Sequence, residues 1–139
     1  MIDWRVRLDG VWADAESKDW DPGPGPLRLR PGCSPAELAA AERRLGRAIP
    51  PPVAELLLAT NGFGDEWAAY ADPLDAVIDT NLWFAEDEHF DRSLFAFAGD
   101  GAGHPLCIAP DGTIHGWNAI DREAFPIARS LDELYAFPR

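Results

Sequence analysis

The stretch from Ser34 to Gly62 constrains this chain more than any other, because its residues carry the start and stop signals of two helices. Ser34-Pro35-Ala36-Glu37 reads as a capping box. The Ser34 hydroxyl accepts from the Glu37 N–H, the Glu37 carboxylate reaches back to the Ser34 N–H, and Pro35 takes the first helical position. Leu38, Ala41, Glu42 and Leu45 come next at helical spacing, and Gly46 stands where the last turn must flip to positive φ, at low steric cost only for glycine. A second helix opens after Pro50-Pro51-Pro52, sets Val53, Leu56, Leu57 and Thr60 along one side, and stops at Asn61-Gly62. The pair makes a helical hairpin that contains no catalytic constellation.

The C-terminal part of the chain is expected to supply the sheet on which the hairpin packs. From Leu94 the apolar period changes to that of strands, giving Leu94–Ala98, Pro105–Ala109 and Thr113–Trp117, with a further short strand at Phe125–Ala128. Pro110-Asp111-Gly112 joins two of these as a hairpin turn. Ser130 caps a closing helix in which Glu133 completes a second capping box and Leu131, Leu134 and Tyr135 face inward. Between hairpin and sheet, Phe63 to Ala71 is expected as a loop holding Trp67 and Tyr70. Asp72-Pro73 then starts a short helix, as a cap and a first-position proline, with Leu74, Val77 and Ile78 inward. Asp79 to Asp91 is expected to be irregular or partly extended.

Residues 1–16 form an N-terminal element of ambiguous period. Trp4, Leu8, Val11 and Trp12 share a helical face, while Ile2, Trp4, Val6 and Leu8 alternate as in a strand. Residues 17–30 form a Pro/Gly-rich linker, extended and poorly pairing, whose Trp20 is expected to dock back onto the domain. Residues 31–139 are the folded domain. The order of helices, strands and helix predicts an α+β fold: one domain, a mainly antiparallel sheet covered by helices.

The 139 residues suffice for one domain with a substantial core. Net charge is −12, unevenly spread: residues 1–60 hold nine acids and eight bases, residues 61–139 fifteen acids and four bases. An acidic half of that size repels phosphates, which disfavours nucleic acid and anionic membranes and favours a basic protein partner. Solubility alone also accounts for such a surface. No apolar run approaches the length of a membrane span, and Met1-Ile2-Asp3-Trp4-Arg5 puts charges where a secretory signal needs an apolar core, so a cytoplasmic location is expected. Cys33 and Cys107 match neither a zinc nor a redox pattern. Cys107 reads as a small buried hydrophobe, and whether the two thiols ever pair is left open.

Gly99-Asp100-Gly101-Ala102-Gly103-His104 lacks the lysine, the Ser/Thr and the helix start of a phosphate cradle, and reads as a tight turn before a strand. Asp100, His104, Asp111 and His115 offer metal-ligand chemistry without metal-ligand spacing, so neither a metal nor another cofactor is expected. Ser34 and Ser130 are taken up as caps, and a Cys107/His115 pair has no supporting motif, so no catalytic residue is expected. A binding surface has better credentials. Trp83 and Phe84 beside Glu86, Asp87, Glu88 and Asp91, with Trp67 nearby in sequence, combine aromatic anchors with carboxylates that complement Arg and Lys. The competing reading places Trp83 and Phe84 in the core and the acids on a solvated loop.

Glu42-x-x-Leu45-Gly46-x-x-Ile49-Pro50, the helix ending at Asn61-Gly62, then Gly99-Asp100-Gly101-x-Gly103, Thr113-Ile114-His115-Gly116-Trp117 and Ser130-Leu131-x-Glu133-Leu134 together resemble the SMI1/KNR4 (SUKH) family, over roughly residues 34–137. The resemblance gives Glu42, Gly46, Pro50, Asn61, Gly62, Gly99, Asp100, Gly103 and Trp117 structural roles. It implies a non-catalytic module of the kind that serves bacteria as immunity proteins, binding and neutralising toxins, often nucleases. The alternatives are a small metal-dependent enzyme using Asp100, His104 and His115, and a regulatory scaffold like the family's eukaryotic members.

Overall fold

A computed structural model describes residues 31–64, 69–99 and 104–135. Helix α1 (Pro35–Leu45) begins as its sequence dictates: Ser34 Oγ accepts from the Glu37 N–H at 3.1 Å and Glu37 Oε1 accepts from the Ser34 N–H at 3.0 Å. It ends at Gly46, whose φ of 71° lets its N–H return to the Glu42 carbonyl. Glu42 also serves the next turn, its Oε2 accepting from the Ile49 N–H at 2.8 Å. Helix α2 (Pro51–Ala59) has Pro50 as its N-cap, so the proline triplet lies across the helix start rather than before it. Prolines fit there because the first helical N–H groups have no intrahelical partner. Val53, Leu56, Leu57 and Thr60 are all buried, as their spacing predicts.

The segment expected as a loop is instead a two-stranded antiparallel hairpin, β1 (Phe63–Gly64) with β2 (Ala69–Ala71). Two- and three-residue strands leave no alternating pattern to detect. Gly62 enters this hairpin at φ 82°, and an added Cβ there would lie 2.6 Å from the Pro73 nitrogen, so both conformation and space demand glycine. Asn61 Oδ1 accepts from the Leu74 N–H at 2.7 Å and starts helix α3 (Leu74–Ala85) from outside. The cap expected of Asp72 is therefore made by Asn61, and Pro73 occupies the N-cap position.

Helix α3 runs through much of the segment expected to be irregular. Asp79, Thr80 and Asn81 are poor helix formers, but Asn81 is buried and its amide is fully used. Its Nδ2 donates to the carbonyls of Val77 and Ala96, and its Oδ1 accepts from the Ala96 N–H, at 2.7–3.0 Å. Tertiary hydrogen bonds thus carry the helix past its local propensity.

Strands β3 (Phe95–Gly99), β4 (Pro105–Ile108), β5 (Ile114–Asn118) and β6 (Glu123–Ala128) form an antiparallel sheet in sequence order. The β4–β5 turn closes with Gly112 at φ 89°, its N–H donating to the Ala109 carbonyl at 2.9 Å. A bulge in β3 between Ala96 and Ala98 leaves Phe97 without an opposite residue. Helix α4 (Leu131–Leu134) is capped by Ser130, but its second capping box is incomplete: Glu133 Oε2 accepts from the Arg129 N–H, one residue before the cap. With four helices and this sheet among the described residues, the fold is α+β.

Strand alternation splits the apolar side chains into two clusters. Phe95, Phe97, Leu106, Ile108 and Ile114 join Leu38, Val53, Leu56, Val77, Leu131 and Tyr135 under the helices. Leu94, Ala96, Cys107 and Trp117 point the other way and meet Phe84 and Phe90. The expectations for residues 1–30, with Trp4 and Trp20, lie outside the described residues, as do those for Trp67, Asp100 and Gly103.

Candidate functional site

The aromatic cluster fixes the face on which the acidic segment sits. Phe84 stacks on Phe90 with ring centroids 4.1 Å apart, and Phe90 meets Trp117 edge-on at 4.9 Å. Phe84 is only 3% exposed, so its expected role as a contact residue is corrected: it is core. Trp83, its neighbour on α3, is 68% exposed, its ring centroid 5.2 Å from that of Phe84. The physical reason is helical phase. Leu74, Val77, Ile78, Asn81 and Phe84 form the buried stripe of α3, and Trp83 falls beside it.

Beyond α3 the chain is held in tight turns. Glu86, at the C-cap, donates its N–H to the Trp83 carbonyl, and the Asp87 N–H goes to the Phe84 carbonyl. The Asp87 side chain is spent locally, with Oδ1 accepting from the His89 N–H at 2.9 Å. Asp91 accepts from the Ser93 hydroxyl at 2.7 Å and from the Ser93 N–H at 2.9 Å, and these bonds hold its carboxyl below the usual carboxylate range. Glu86 and Glu88 are exposed, with Glu88 3.4 Å from His89. The structure thus brings Trp83, Glu86, Asp87, Glu88 and Asp91 to one end of α3.

An open cleft of about 220 Å³ lies beside this segment, with Arg47 and Arg92 among its lining residues and no carboxylate. Both arginines are committed to backbone oxygens. Arg47 Nη1 donates to the carbonyls of Arg92 and Leu94 while its guanidinium lies over the Phe95 ring at 5.1 Å, and Arg92 Nη2 donates to the Ala85 carbonyl at 2.8 Å. Two helix C-termini, those of α1 and α3, end here, and positive charge is what their carbonyl ends favour. The cleft is a staple between hairpin and loop. Sequence reasoning missed it, because neither arginine belongs to a motif.

The residues considered for chemistry are arranged otherwise. Thr113 Oγ1 donates to Asp111 Oδ1 at 2.6 Å and lies 2.8 Å from His115 Nε2. The hydroxyl proton is directed at the carboxylate, so His115 must donate to Thr113 and cannot act as its base; a catalytic triad needs the imidazole in the middle. His104 meets Phe125 edge-on at 5.4 Å. Among the described residues no three His, Cys, Asp or Glu side chains converge as metal ligands would. Cys33 and Cys107 are free, buried and in different clusters. Burial, aided by Asp91, pushes the Cys107 thiol up to about 12, and burial likewise raises Cys33, so neither presents a thiolate.

The motif residues act as scaffold: Glu42, Gly46, Pro50, Asn61 and Gly62 hold turns and helix ends, Gly99 closes β3, and Trp117 is core. A second exposed apolar residue escaped sequence reading. Ile120, in the β5–β6 turn, is 91% exposed. Its signal was an aliphatic residue set between the turn formers Asn118 and Asp121.

The described residues form an α+β scaffold that carries Trp83, Ile120 and a group of carboxylates at its surface. The sequence profile of the SMI1 / KNR4 family (SUKH-1) matches residues 32–136, and the chain belongs to that family. Comparison with curated proteins finds no match. Among the described residues, no helix is long and apolar enough to cross a membrane.

Proposed function

We propose that this chain is a non-catalytic immunity module, which neutralises a toxin by covering a basic surface with the acidic end of α3. The observation that carries this reading is Trp83, 68% exposed where Phe84, Phe90, Phe95, Phe97 and Trp117 are buried, with Glu86 and Glu88 exposed beside it. An exposed aromatic followed in the chain by exposed carboxylates suits a partner that presents Arg and Lys. A nuclease is the favoured partner class, since its phosphate-binding groove is the basic surface that such acids would occupy. The module acts in the cytoplasm, a setting in keeping with its two free thiols.

The test is association with a nuclease toxin domain of the host organism, used in a catalytically inactive form. Glu86→Lys with Glu88→Lys is the sharper charge reversal, because Asp87 also holds the loop through the His89 N–H. Stopped-flow association at low salt should slow about tenfold or more, and the difference should shrink as salt rises. An unchanged rate at low salt removes this surface from the proposal.

A further inference from the structure

We propose that the β5–β6 turn is a second, preorganised half of the same binding surface, presenting Ile120 to an apolar pocket rimmed by basic groups on the protein partner. This rests on the immunity-module reading and extends it to residues on a different element.

Ile120 stands 91% exposed, the highest exposure among the large apolar side chains of the described residues. The turn that carries it is held from within. Asn118 Oδ1 accepts from the N–H groups of Ile120 and Asp121 at 3.0 and 3.1 Å, and Asn118 Nδ2 donates to Asp121 Oδ2 at 3.1 Å. Arg122 then adopts φ 57°, a left-handed conformation that residues other than glycine seldom take and that persists only where surroundings enforce it. An aliphatic side chain on a fixed backbone loses little freedom when a partner closes over it, which is how preorganisation raises affinity.

Two links join this turn to the acidic end of α3. Arg122 Nη1 donates to His89 Nε2 at 2.9 Å, tying the turn to the loop just past Glu88. Behind it, ring contacts run from Trp83 through Phe84 and Phe90 to Trp117, the residue before Asn118. Trp83 and Ile120 are therefore joined through one continuous set of contacts, within the reach of one interface of roughly 800 Å² per partner. Charge selects the occupant. Residues 83–92 and 118–123 together hold six acids and two arginines, and both arginines are turned to His89 and the Ala85 carbonyl. A second copy of this chain would meet like charge there; a basic protein would not.

Calorimetric titration of the full chain with the same inactive toxin domain tests the proposal. Ile120→Asp should weaken Kd at least about thirtyfold and Ile120→Ala about tenfold, each with unchanged Tm. Asn118→Ala, which frees the turn but keeps Ile120, should weaken Kd several-fold through faster dissociation. Leu58→Asp, exposed on α2, is the control and should leave Kd unchanged. If the unaltered chain binds and Ile120→Asp stays within about threefold of it, this half of the surface is overturned while the immunity reading stands. If the unaltered chain does not bind that domain at all, both fall together.

Discussion

The two faces of the sheet are built by different means. One is buried under α1, α2, α3 and α4, whose apolar stripes meet Phe95, Phe97, Leu106, Ile108 and Ile114 in a single large cluster. The other is covered by two phenylalanines, Phe84 from the last turn of α3 and Phe90 from the loop beyond it, over Ala96, Cys107 and Trp117. On the helical side α1 and α4 carry their own side-chain caps, and α3 takes its cap from Asn61 just past the end of α2. The loop side exists only because the sheet is there to receive it. The lightly covered face ends in Trp83 and the acidic turns, the surface proposed above for the partner, which can be reached without opening the main core.

The largest effects should come from removing one aromatic ring on each side. Phe95→Ala should cost about 4 kcal/mol and Phe84→Ala about 3, read by equilibrium denaturation, since large-to-small changes in cores cost about 3–5. A greater loss at Phe84 would mean that the loop side, not the helical side, is the principal core. Next comes Asn81→Leu, at about 2–3 kcal/mol, because the Ala96 N–H and carbonyl would lose their buried partner. A loss under about 0.5 kcal/mol would show that this amide contributes little to holding α3 against β3.

A smaller effect separates the faces by pH. Asp72 lies at the margin of the helical side, its N–H donating to the Phe97 carbonyl, and burial raises its carboxyl above the ordinary value. A raised folded-state value means that ionised Asp72 opposes folding, fully so above that value and not at all below the unfolded value of about 3.9. Asp72→Asn should therefore raise Tm near neutral pH, and its advantage should fade as pH falls toward about 4. A constant offset across that range would assign the effect to something other than titration. The smallest change is Trp83→Ala, expected within about 0.5 kcal/mol in stability despite the size of the side chain removed. A loss near that of Phe84→Ala would place Trp83 in the core after all.

Legibility in the sequence divides along the same line. Ser34, Glu37, Gly46, Gly62 and Asp111-Gly112 signal through neighbours a few residues away, and α1, α2 and the β4–β5 turn were readable from them. The second half of α3 was not, because Asn81 is held helical by Ala96, 15 residues on. That single misreading hid the rest. Once α3 is known to reach Ala85, the spacing from Leu74 through Val77 and Asn81 puts Phe84 inside and Trp83 outside. Ile120 was overlooked for a related reason: an apolar residue in a two-strand turn declares its exposure only when both strands are placed.

Asn81 has one more consequence. By offering an acceptor to the Ala96 N–H and a donor to the Ala96 carbonyl, its amide does for β3 what a neighbouring peptide group would do. The outer margin of that strand is thereby closed by a helix, at the very place where the bulge interrupts regular pairing. A foreign strand seeking to extend the sheet finds those two groups already satisfied, and at the opposite margin it meets Pro126 within β6, which has no N–H to give. Both margins of the sheet are in this way blunted against edge-to-edge pairing.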